Sequence, residues 1–198
     1  MGTGNIEEGS RVKQRCKWVG TDLLYIEYHD NEWGIPLHDD RKLFELLILE
    51  GMQAGLSWIT ILKKRQSYRK AFNDFDVEQI AEYDSNKIVQ LLSNKGIIRN
   101  RLKIEAAIQN AVAFLVVQKE FGSFDSYIWR FIGSKPIRNA WKIQEEIPTK
   151  TKASITMSND LRTRGFKFAG PTICYAFMQA AGMVNDHTIN CFRYSEIL

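Results

Sequence analysis

Two cysteines and two histidines at opposite ends of the chain constrain its fold more than any other feature of the sequence. Cys16 and His29 lie near the N-terminus, whereas His187 and Cys191 lie near the C-terminus. His187 and Cys191 are four residues apart, so on a helix both side chains would leave the same face, one turn apart. Two thiolates and two imidazoles suit Zn²⁺, which binds four such ligands tetrahedrally.

A single zinc ion bound by these four residues would tie the two ends of the chain together. Because four protein ligands leave no open position on the metal, we expect a structural zinc and not a catalytic one. The alternative is a pair of buried thiols and two surface histidines, since the long gap lacks the local spacing of a zinc finger. With a structural zinc, the chemistry of the protein must involve other residues.

The composition is that of an ordinary globular protein. Of the 198 residues, 44% are hydrophobic and 25% are charged. No apolar stretch approaches the length of a membrane span, and residues 1–14 lack the apolar segment of a secretory signal. We therefore expect residues 1–14 to form a flexible tail or to be a remnant of cloning.

Cysteine usage and charge bear on location and partners. Two of the three cysteines belong to the predicted zinc site, which leaves Cys174 without a disulfide partner and predicts a protein of the reducing cytoplasm. The net charge of +4 permits nucleic-acid binding without requiring it. Aromatic residues make up 12% of the chain; they usually pack in a core, although base-stacking sites also use them.

The hydrophobic pattern follows the helical period along nearly the whole chain, and no segment shows sustained alternation of period two. Four longer helices are expected. The first is capped by Asp39 or Asp40 and ends around Gly51 and Gly55, the second is capped by Ser57, the third runs from Asp84 to Gly96, and the fourth runs from Arg101 to Phe121 and is ended by Gly122. Shorter helices are expected over 123–132, 158–164 and 171–181. Residues 133–153 are predicted to be rich in loops. The pattern predicts an all-α protein in two lobes, because the terminal segments must meet at the zinc.

Residues 161–176 have the pattern of a hairpin between two helices. Two glycines bracket an apolar–Lys–apolar turn, and Pro171 stands where the first position of a helix tolerates it. The N–H groups at that helix start favour an anion such as a phosphate, and Arg162 and Arg164 add positive charge. We expect a helix-hairpin-helix that anchors the DNA backbone independently of sequence; the alternative is an ordinary glycine-bracketed turn. The predicted DNA-binding residues are Gly165, Lys167, Gly170 and Thr172.

Glu50 lies at the end of an apolar helical run, where burial would raise the pKa of its carboxyl group and make its charge useful. The alternative is an exposed glutamate at a helix end. The candidate walls of a pocket around Glu50 are five aromatic residues, Trp18, Tyr25, Tyr28, Trp33 and Trp58. For each of them the alternative is packing in the core.

Seven strings of residues, taken together, link this sequence to a known family. They are Arg15–Val19, Tyr25–Pro36, Leu49–Gly51, Gln53–Trp58, Gly96–Arg99, Arg164–Phe168 and Val184–His187. The sequence resembles the bacterial 3-methyladenine DNA glycosylase I family over about residues 14–194. The resemblance implies a helix-hairpin-helix DNA glycosylase fold, with a single domain over 15–194 in two lobes and the hairpin around 158–181.

The resemblance also implies functions for the residues singled out above. It implies a structural zinc bound by Cys16, His29, His187 and Cys191. It also implies a base pocket with Glu50 as the catalytic residue and with Tyr28 and Trp58. Tyr25, Trp18 and Trp33 are further candidates for the wall of this pocket or for its support. Met52 stands where some relatives carry a polar residue, and nothing about function follows from it. The implied partner is double-stranded alkylated DNA, with 3-methyladenine as product, no membrane, and a monomeric enzyme.

The chemistry of the implied substrate sets the mechanism we expect. A base methylated at N3 is cationic, so its bond to the sugar is already weak; the enzyme must extract the nucleotide and hold the base. Aromatic faces attract a cation by about 0.5–2 kcal/mol, Glu50 could accept hydrogen bonds from the base, and water attacks the sugar. A strand-cleaving lyase would need a lysine after the second hairpin glycine, where Pro171, Thr172 and Ile173 stand. The expectation is a monofunctional enzyme that leaves an abasic site.

Three other functions stay open at the level of sequence. One is a DNA-binding module without catalysis, built on the same hairpin and zinc. The second is a zinc-stabilised protein-interaction domain, against which the hairpin glycines and basic residues argue. The third is a glycosylase for a different damaged base.

Overall fold

The computed structural model describes residues 13–197, and most of them are helical. The α-helices are α1 (Leu23–Asn31), α2 (Asp40–Gln53), α3 (Trp58–Ala71), α4 (Val77–Ala81), α5 (Ser85–Ser93), α6 (Arg101–Phe121), α7 (Phe124–Trp129), α8 (Lys152–Thr163), α9 (Pro171–Ala180) and α10 (Phe192–Glu196). Four single 3-10 turns cover Lys17–Val19, Asn73–Phe75, Arg130–Ile132 and Gln144–Glu146. The predicted tail lies outside the described residues except for positions 13 and 14.

The all-α prediction is confirmed in its main point, but the fold also contains a small strand pair. Strands β1 (Ile137–Arg138) and β2 (Val184–Asn185) pair in parallel, with Ile137 opposite Val184. Each strand has only two residues, which is too short to produce a visible alternation of polar and apolar positions. The pair joins the loop-rich segment after α7 to the segment that precedes His187.

Local capping chemistry explains most of the helix boundaries. Asp39 caps α2, where its carboxylate accepts from the N–H of Lys42 at 2.8 Å. Helix α6 has the predicted bounds, and Gly122 ends it with a φ of +84°. Two predicted boundaries were wrong. Helix α8 begins six residues before Ser158, at Lys152, because Thr151 and Ser154 form a capping box, and α5 ends at Ser93 before Gly96 is reached.

His187 and Cys191 do not lie together on one helix, so the helical geometry considered for their spacing does not apply. The chain leaves β2, passes through a turn in which the N–H of Cys191 donates to the carbonyl of Thr188 at 2.8 Å, and starts α10 with Cys191 as its cap residue. The side chain of Asn185 accepts from the N–H of His187, which fixes the start of this turn. The turn, and not a helical face, therefore brings the two side chains together.

Helix α2 is the centre of the core. Its ten residues from Leu43 to Met52 are all buried, and it packs against α3, α6, α7 and α9. The buried apolar side chains form one continuous cluster that extends from Cys16 to Cys191. The division into two lobes stays a prediction. Within the described range no helix is long and apolar enough to cross a membrane.

Candidate active site

A cavity of about 240 Å³ brings together all six residues predicted for the pocket. It is lined by Trp18, Tyr25, Tyr28, Trp33, Glu50, Gln53, Trp58, Gln144, Ile147, Ala176 and Gln179. Its volume is below the usual range for drug-sized ligands, so it suits a molecule of about the size of a single base. Five aromatic rings and one carboxyl group give it the chemistry of a site for a flat cation.

Glu50 is the acidic group of this cavity. It lies in the last turn of the buried helix α2 and is only 4% exposed. Burial raises the pKa of its carboxyl group to about 8. No hydrogen bond or ion pair with another residue of the described range offsets this burial. A cationic ligand in the cavity would therefore favour the ionised carboxylate over the protonated one.

The aromatic walls are held by edge-to-face packing. The ring of Trp18 lies 5.3 Å from that of Tyr25 and 5.1 Å from that of Trp33, both close to perpendicular. The rings of Tyr28 and Trp58 lie 5.5 Å apart. The indole N–H of Trp58 is buried and meets no hydrogen-bond acceptor within residues 13–197. These rings line the cavity with flat aromatic faces.

Tyr25 has a structural task that the sequence did not reveal. Its hydroxyl accepts from the N–H of Ile59 at 3.1 Å, in the first turn of α3. Ser57 stands at the predicted cap position of that helix, but its hydroxyl pairs with that of Thr60 and caps no N–H group. Tyr25 therefore takes the place of the cap and fixes the start of α3, where Trp58 is the first residue.

The four predicted metal ligands converge in a buried cluster. Their ligand atoms all lie within 4.8 Å of one another. Nδ1 of His187 lies 3.1 Å from Nε2 of His29 and 3.4 Å from Sγ of Cys191, and Sγ of Cys16 lies 3.5 Å from the same Nδ1. A tetrahedral zinc with ordinary bond lengths would separate two nitrogens by about 3.3 Å and a nitrogen from a sulfur by about 3.6 Å. The spacing fits such an ion.

The outer nitrogens of both imidazoles lie against groups that can only accept a hydrogen bond, which assigns them as donors. Nδ1–H of His29 donates to the carboxylate of Asp30 at 2.8 Å, and Arg15 binds the same carboxylate at 2.7 Å. Nε2–H of His187 donates to the carbonyl of Trp33 at 3.1 Å. The inner nitrogens, Nε2 of His29 and Nδ1 of His187, are thereby turned toward each other at 3.1 Å, and as lone pairs they could both bind one cation, an arrangement that metal-binding histidines commonly show. The donor set fits a metal ion.

The two sulfurs of the cluster share a proton. A hydrogen bond with Cys16 lowers the pKa of Cys191, and the same bond, together with burial, raises the pKa of Cys16. Metal binding would displace the shared proton, because thiolates are the ligands of zinc.

The predicted hairpin joins α8 to α9. Gly165 follows the end of α8 with a φ of +95°, a backbone conformation that favours glycine. The second left-handed position is Phe168, with a φ of +50°, and not Gly170, whose φ is −71°. Asn110 of α6 braces the turn, since it accepts from the N–H of Lys167 at 2.7 Å and donates to its carbonyl at 3.1 Å.

The charges of the hairpin differ from the expectation in one residue. Lys167 and Arg162 are exposed, border an open cleft of about 700 Å³, and form no ion pair with the described residues. Arg164, in contrast, binds Asp160 at 2.7 Å and Glu120 at 2.6 Å. Arg164 was expected to add positive charge, but two carboxylates neutralise it. Thr172 is exposed in the first turn of α9.

The comparisons with known proteins give the family. Residues 18–194 match the family described as methyladenine glycosylase. The chain belongs to this family. DNA-3-methyladenine glycosylase 1 of Escherichia coli (strain K12) is 50% identical over 181 residues, which cover 91% of this chain and 97% of the relative. The chain is therefore that of a glycosylase, an enzyme that hydrolyses N-glycosyl bonds.

Solved structures of the family share the fold. A crystal structure of a 3-methyladenine DNA glycosylase I aligns with a TM-score of 0.89 at 52% identity, covering 90% of this chain and 98% of the other. A structure of the 3-methyladenine DNA glycosylase I of Staphylococcus aureus, which concerns the recognition of 3-methyladenine, aligns with a TM-score of 0.88 at 36% identity. The alignment covers 90% of this chain and 95% of the other.

Several residues that line the cavity of this glycosylase were missed by the sequence analysis. Gln53 lies one helical turn after Glu50 on α2, and that spacing could have placed it on the same face. Gln144 and Ile147 come from the loop-rich segment, and Ala176 and Gln179 come from α9. No local pattern marks these four, because tertiary packing brings their segments to the cavity.

Proposed function

We propose that this enzyme releases 3-methyladenine from alkylated double-stranded DNA by hydrolysing the N-glycosidic bond. The observation that carries the proposal is a base-sized cavity with five aromatic walls and one buried carboxyl group, that of Glu50, which has no hydrogen-bond or ion-pair partner among residues 13–197. The relatives support the same substrate, since the Escherichia coli enzyme is named for 3-methyladenine and the Staphylococcus aureus structure concerns its recognition.

The reaction needs little acid catalysis. In 3-methyladenine nucleotides the base carries a positive charge, so the bond between N9 and C1′ breaks with its electron pair passing to the base. The base leaves neutral, water adds to C1′ and loses a proton, and an abasic sugar results. The enzyme must turn the nucleotide out of the duplex and hold the base in the cavity.

Glu50 and the aromatic rings have different roles in recognising the base. The ring faces of Tyr28 and Trp58 attract a flat cation, an effect of about 0.5–2 kcal/mol per ring. Burial raises the pKa of Glu50 to about 8, so at neutral pH its carboxyl group is mostly protonated, and a cation in the cavity would favour the ionised form. A neutral undamaged base cannot stabilise that charge, so the site favours the alkylated one.

The hairpin is the proposed DNA anchor. Gly165 and Gly170 frame a turn in which Lys167 is exposed, and the N–H groups at the start of α9, near Thr172, would favour an anion such as a phosphate. No lysine follows the second glycine, so the enzyme lacks the amine that a strand-cleaving lyase would use. Hydrolysis is therefore proposed to stop at the abasic site.

Zinc is the proposed ion of the cluster formed by Cys16, His29, His187 and Cys191. With four protein ligands it would supply folding energy and no chemistry. The enzyme is proposed to act as a monomer in the cytoplasm, where reduced thiols persist.

Release of the free base is the direct test of this function. Alkylated duplex DNA is incubated with the enzyme, and the supernatant is resolved by chromatography against 3-methyladenine and other methylated bases. We expect 3-methyladenine to appear in proportion to time and enzyme. Binding to alkylated DNA without any released base would reject the proposal, and release of a different base alone would correct the substrate.

A further inference from the structure

Asp186 is a buried carboxylate that the mechanism above does not use. It is fully buried and directly follows strand β2. A buried carboxylate is unfavourable unless hydrogen bonds compensate for the lost water. Four side chains donate to this one at 2.6–2.8 Å, namely those of Asn139, Trp141, Tyr175 and Gln179. Because hydrogen bonds to a carboxylate are among the strong ones, Asp186 holds its surroundings firmly.

The two oxygens of Asp186 bind two different segments. Oδ1 accepts from Nδ2 of Asn139 at 2.6 Å and from the indole N–H of Trp141 at 2.7 Å, in the segment that follows β1. Oδ2 accepts from the hydroxyl of Tyr175 at 2.6 Å and from Nε2 of Gln179 at 2.8 Å, which lie one turn apart on α9. The pairing of β1 with β2 brings the first segment to the carboxylate. Asp186 therefore joins the segment after β1 to α9.

These two segments supply four residues of the cavity lining. Gln144 and Ile147 follow Trp141 in the first segment, and Ala176 and Gln179 lie on α9. The side chain of Gln179 touches the carboxylate directly, whereas Trp141 stands three residues before Gln144. The relative positions of these four lining residues thus depend on a carboxylate that does not itself line the cavity.

We propose that Asp186 is a positioning residue of the base cavity. Its carboxylate fixes the segment after β1 against α9 and thereby sets the fit of the cavity around a methylated base. This inference rests on the proposed function where it concerns 3-methyladenine. Asp186 has no contact with the base in this account and no part in the breaking of the bond. Its loss should therefore affect base binding and leave the binding of undamaged DNA nearly unchanged.

Two variants each remove one donor to Asp186 and keep an aromatic ring. Trp141→Phe removes a bond to Oδ1, and Tyr175→Phe removes one to Oδ2. Each should lower the affinity for free 3-methyladenine, measured by calorimetry, by about tenfold, the order of one charge-assisted hydrogen bond. Wild-type affinity in both variants would overturn the inference.

Two matched controls separate positioning from stability. Trp129→Phe loses an indole bond of 3.0 Å to a backbone carbonyl, and Tyr127→Phe loses a hydroxyl bond of 2.7 Å to a carboxylate of α8. Both residues are buried, and neither lines the cavity. The controls should lose a similar amount of melting temperature and keep the affinity for the base. An equal loss of affinity in the controls would show that stability alone is responsible and would contradict the proposed role.

Asp186→Asn tests the carboxylate itself. The indole N–H of Trp141 can only donate, so the amide oxygen should stay on that side and the new NH₂ group should face Tyr175 and Gln179. Release of 3-methyladenine in a single turnover should slow by about tenfold, while the metal content and the affinity for undamaged duplex stay at wild-type values. If release slows only together with loss of the metal, the effect passes through the neighbouring His187, and the inference is wrong.

Hydrogen exchange measures the positioning without any ligand. The amides of residues 142–147 should exchange about tenfold faster in Trp141→Phe, because one bond that holds their segment is lost, and at the wild-type rate in Trp129→Phe. Unchanged exchange in Trp141→Phe would contradict the inference. If the wild type releases no 3-methyladenine from DNA, the proposed function itself fails, and hydrogen exchange still decides whether Asp186 positions this segment.

Discussion

The indole of Trp33 lies edge to face against the imidazole of His187, with ring centroids 4.6 Å apart. The backbone carbonyl of Trp33 also accepts a hydrogen bond from Nε2–H of that imidazole. Trp33 also lines the cavity. One residue therefore forms part of the pocket wall and orients a ligand of the metal cluster. Loss of the metal should disturb the pocket as well as the stability of the fold.

Loss of one metal ligand should be measurable in three ways. Cys191→Ala should lower the zinc content, the melting temperature and the affinity for 3-methyladenine, because folding and the position of Trp33 both depend on the cluster. Cys174→Ala is the matched control: it removes another buried thiol, which lies outside the cluster, and should keep its zinc. A metal-free protein with unchanged melting temperature would contradict a structural zinc.

Lys167→Ala should weaken binding to duplex DNA about equally for all sequences. One lost phosphate contact should reduce the slope of log affinity against log salt by about 0.9. Lys70→Ala removes an exposed charge at the end of α3, outside the hairpin, and serves as the control for net charge. A salt slope for Lys167→Ala that equals the wild-type slope, or an altered sequence preference, would remove this lysine from the backbone contact.

Borohydride should trap no covalent complex between the enzyme and alkylated DNA. Trapping requires a Schiff base, and the hairpin offers Pro171, Thr172 and Ile173 where its lysine would stand. A known bifunctional glycosylase, treated in parallel, verifies the trapping conditions. A stoichiometric adduct with this enzyme would show that it is not monofunctional.

Glu50 should reduce the stability of the fold at high pH. The pKa of a glutamate in an unfolded chain is about 4.3, and burial raises it to about 8 in the folded enzyme. Between these two pKa values the folded state holds the proton more tightly, so the free energy of unfolding falls by about 1.4 kcal/mol for each pH increase of one. The loss is complete above about pH 8 and absent below about pH 4.

Glu50→Gln cannot ionise and should remove this dependence. Its melting temperature relative to the wild type should therefore rise between about pH 5 and about pH 8.5. Glu27→Gln, at an exposed position of α1, should show no such rise. A constant difference for Glu50→Gln across this range would mean that the carboxyl group of Glu50 is not held in its neutral form.

The sequence predicted the helices and the ligand set better than it predicted the turns. Capping residues such as Asp39 and the period of α6 are local signals, so those helices could be placed from the residues alone. The turn that brings His187 to Cys191 depends on the pairing of β1 with β2, which is a contact between distant segments. The same holds for Gln144, whose position at the cavity follows from the support given by Asp186 to Trp141.

The central claim is that Glu50 acts on the alkylated base and not on the DNA backbone. It is tested by single-turnover release of 3-methyladenine from methylated duplex by Glu50→Gln, alongside its binding to undamaged duplex. We predict slower release, with a moderate and not a total loss because the substrate carries its own activating charge, and nearly unchanged affinity for undamaged DNA. Release at the full wild-type rate, or an equal loss of release and of undamaged-DNA binding, would contradict the account.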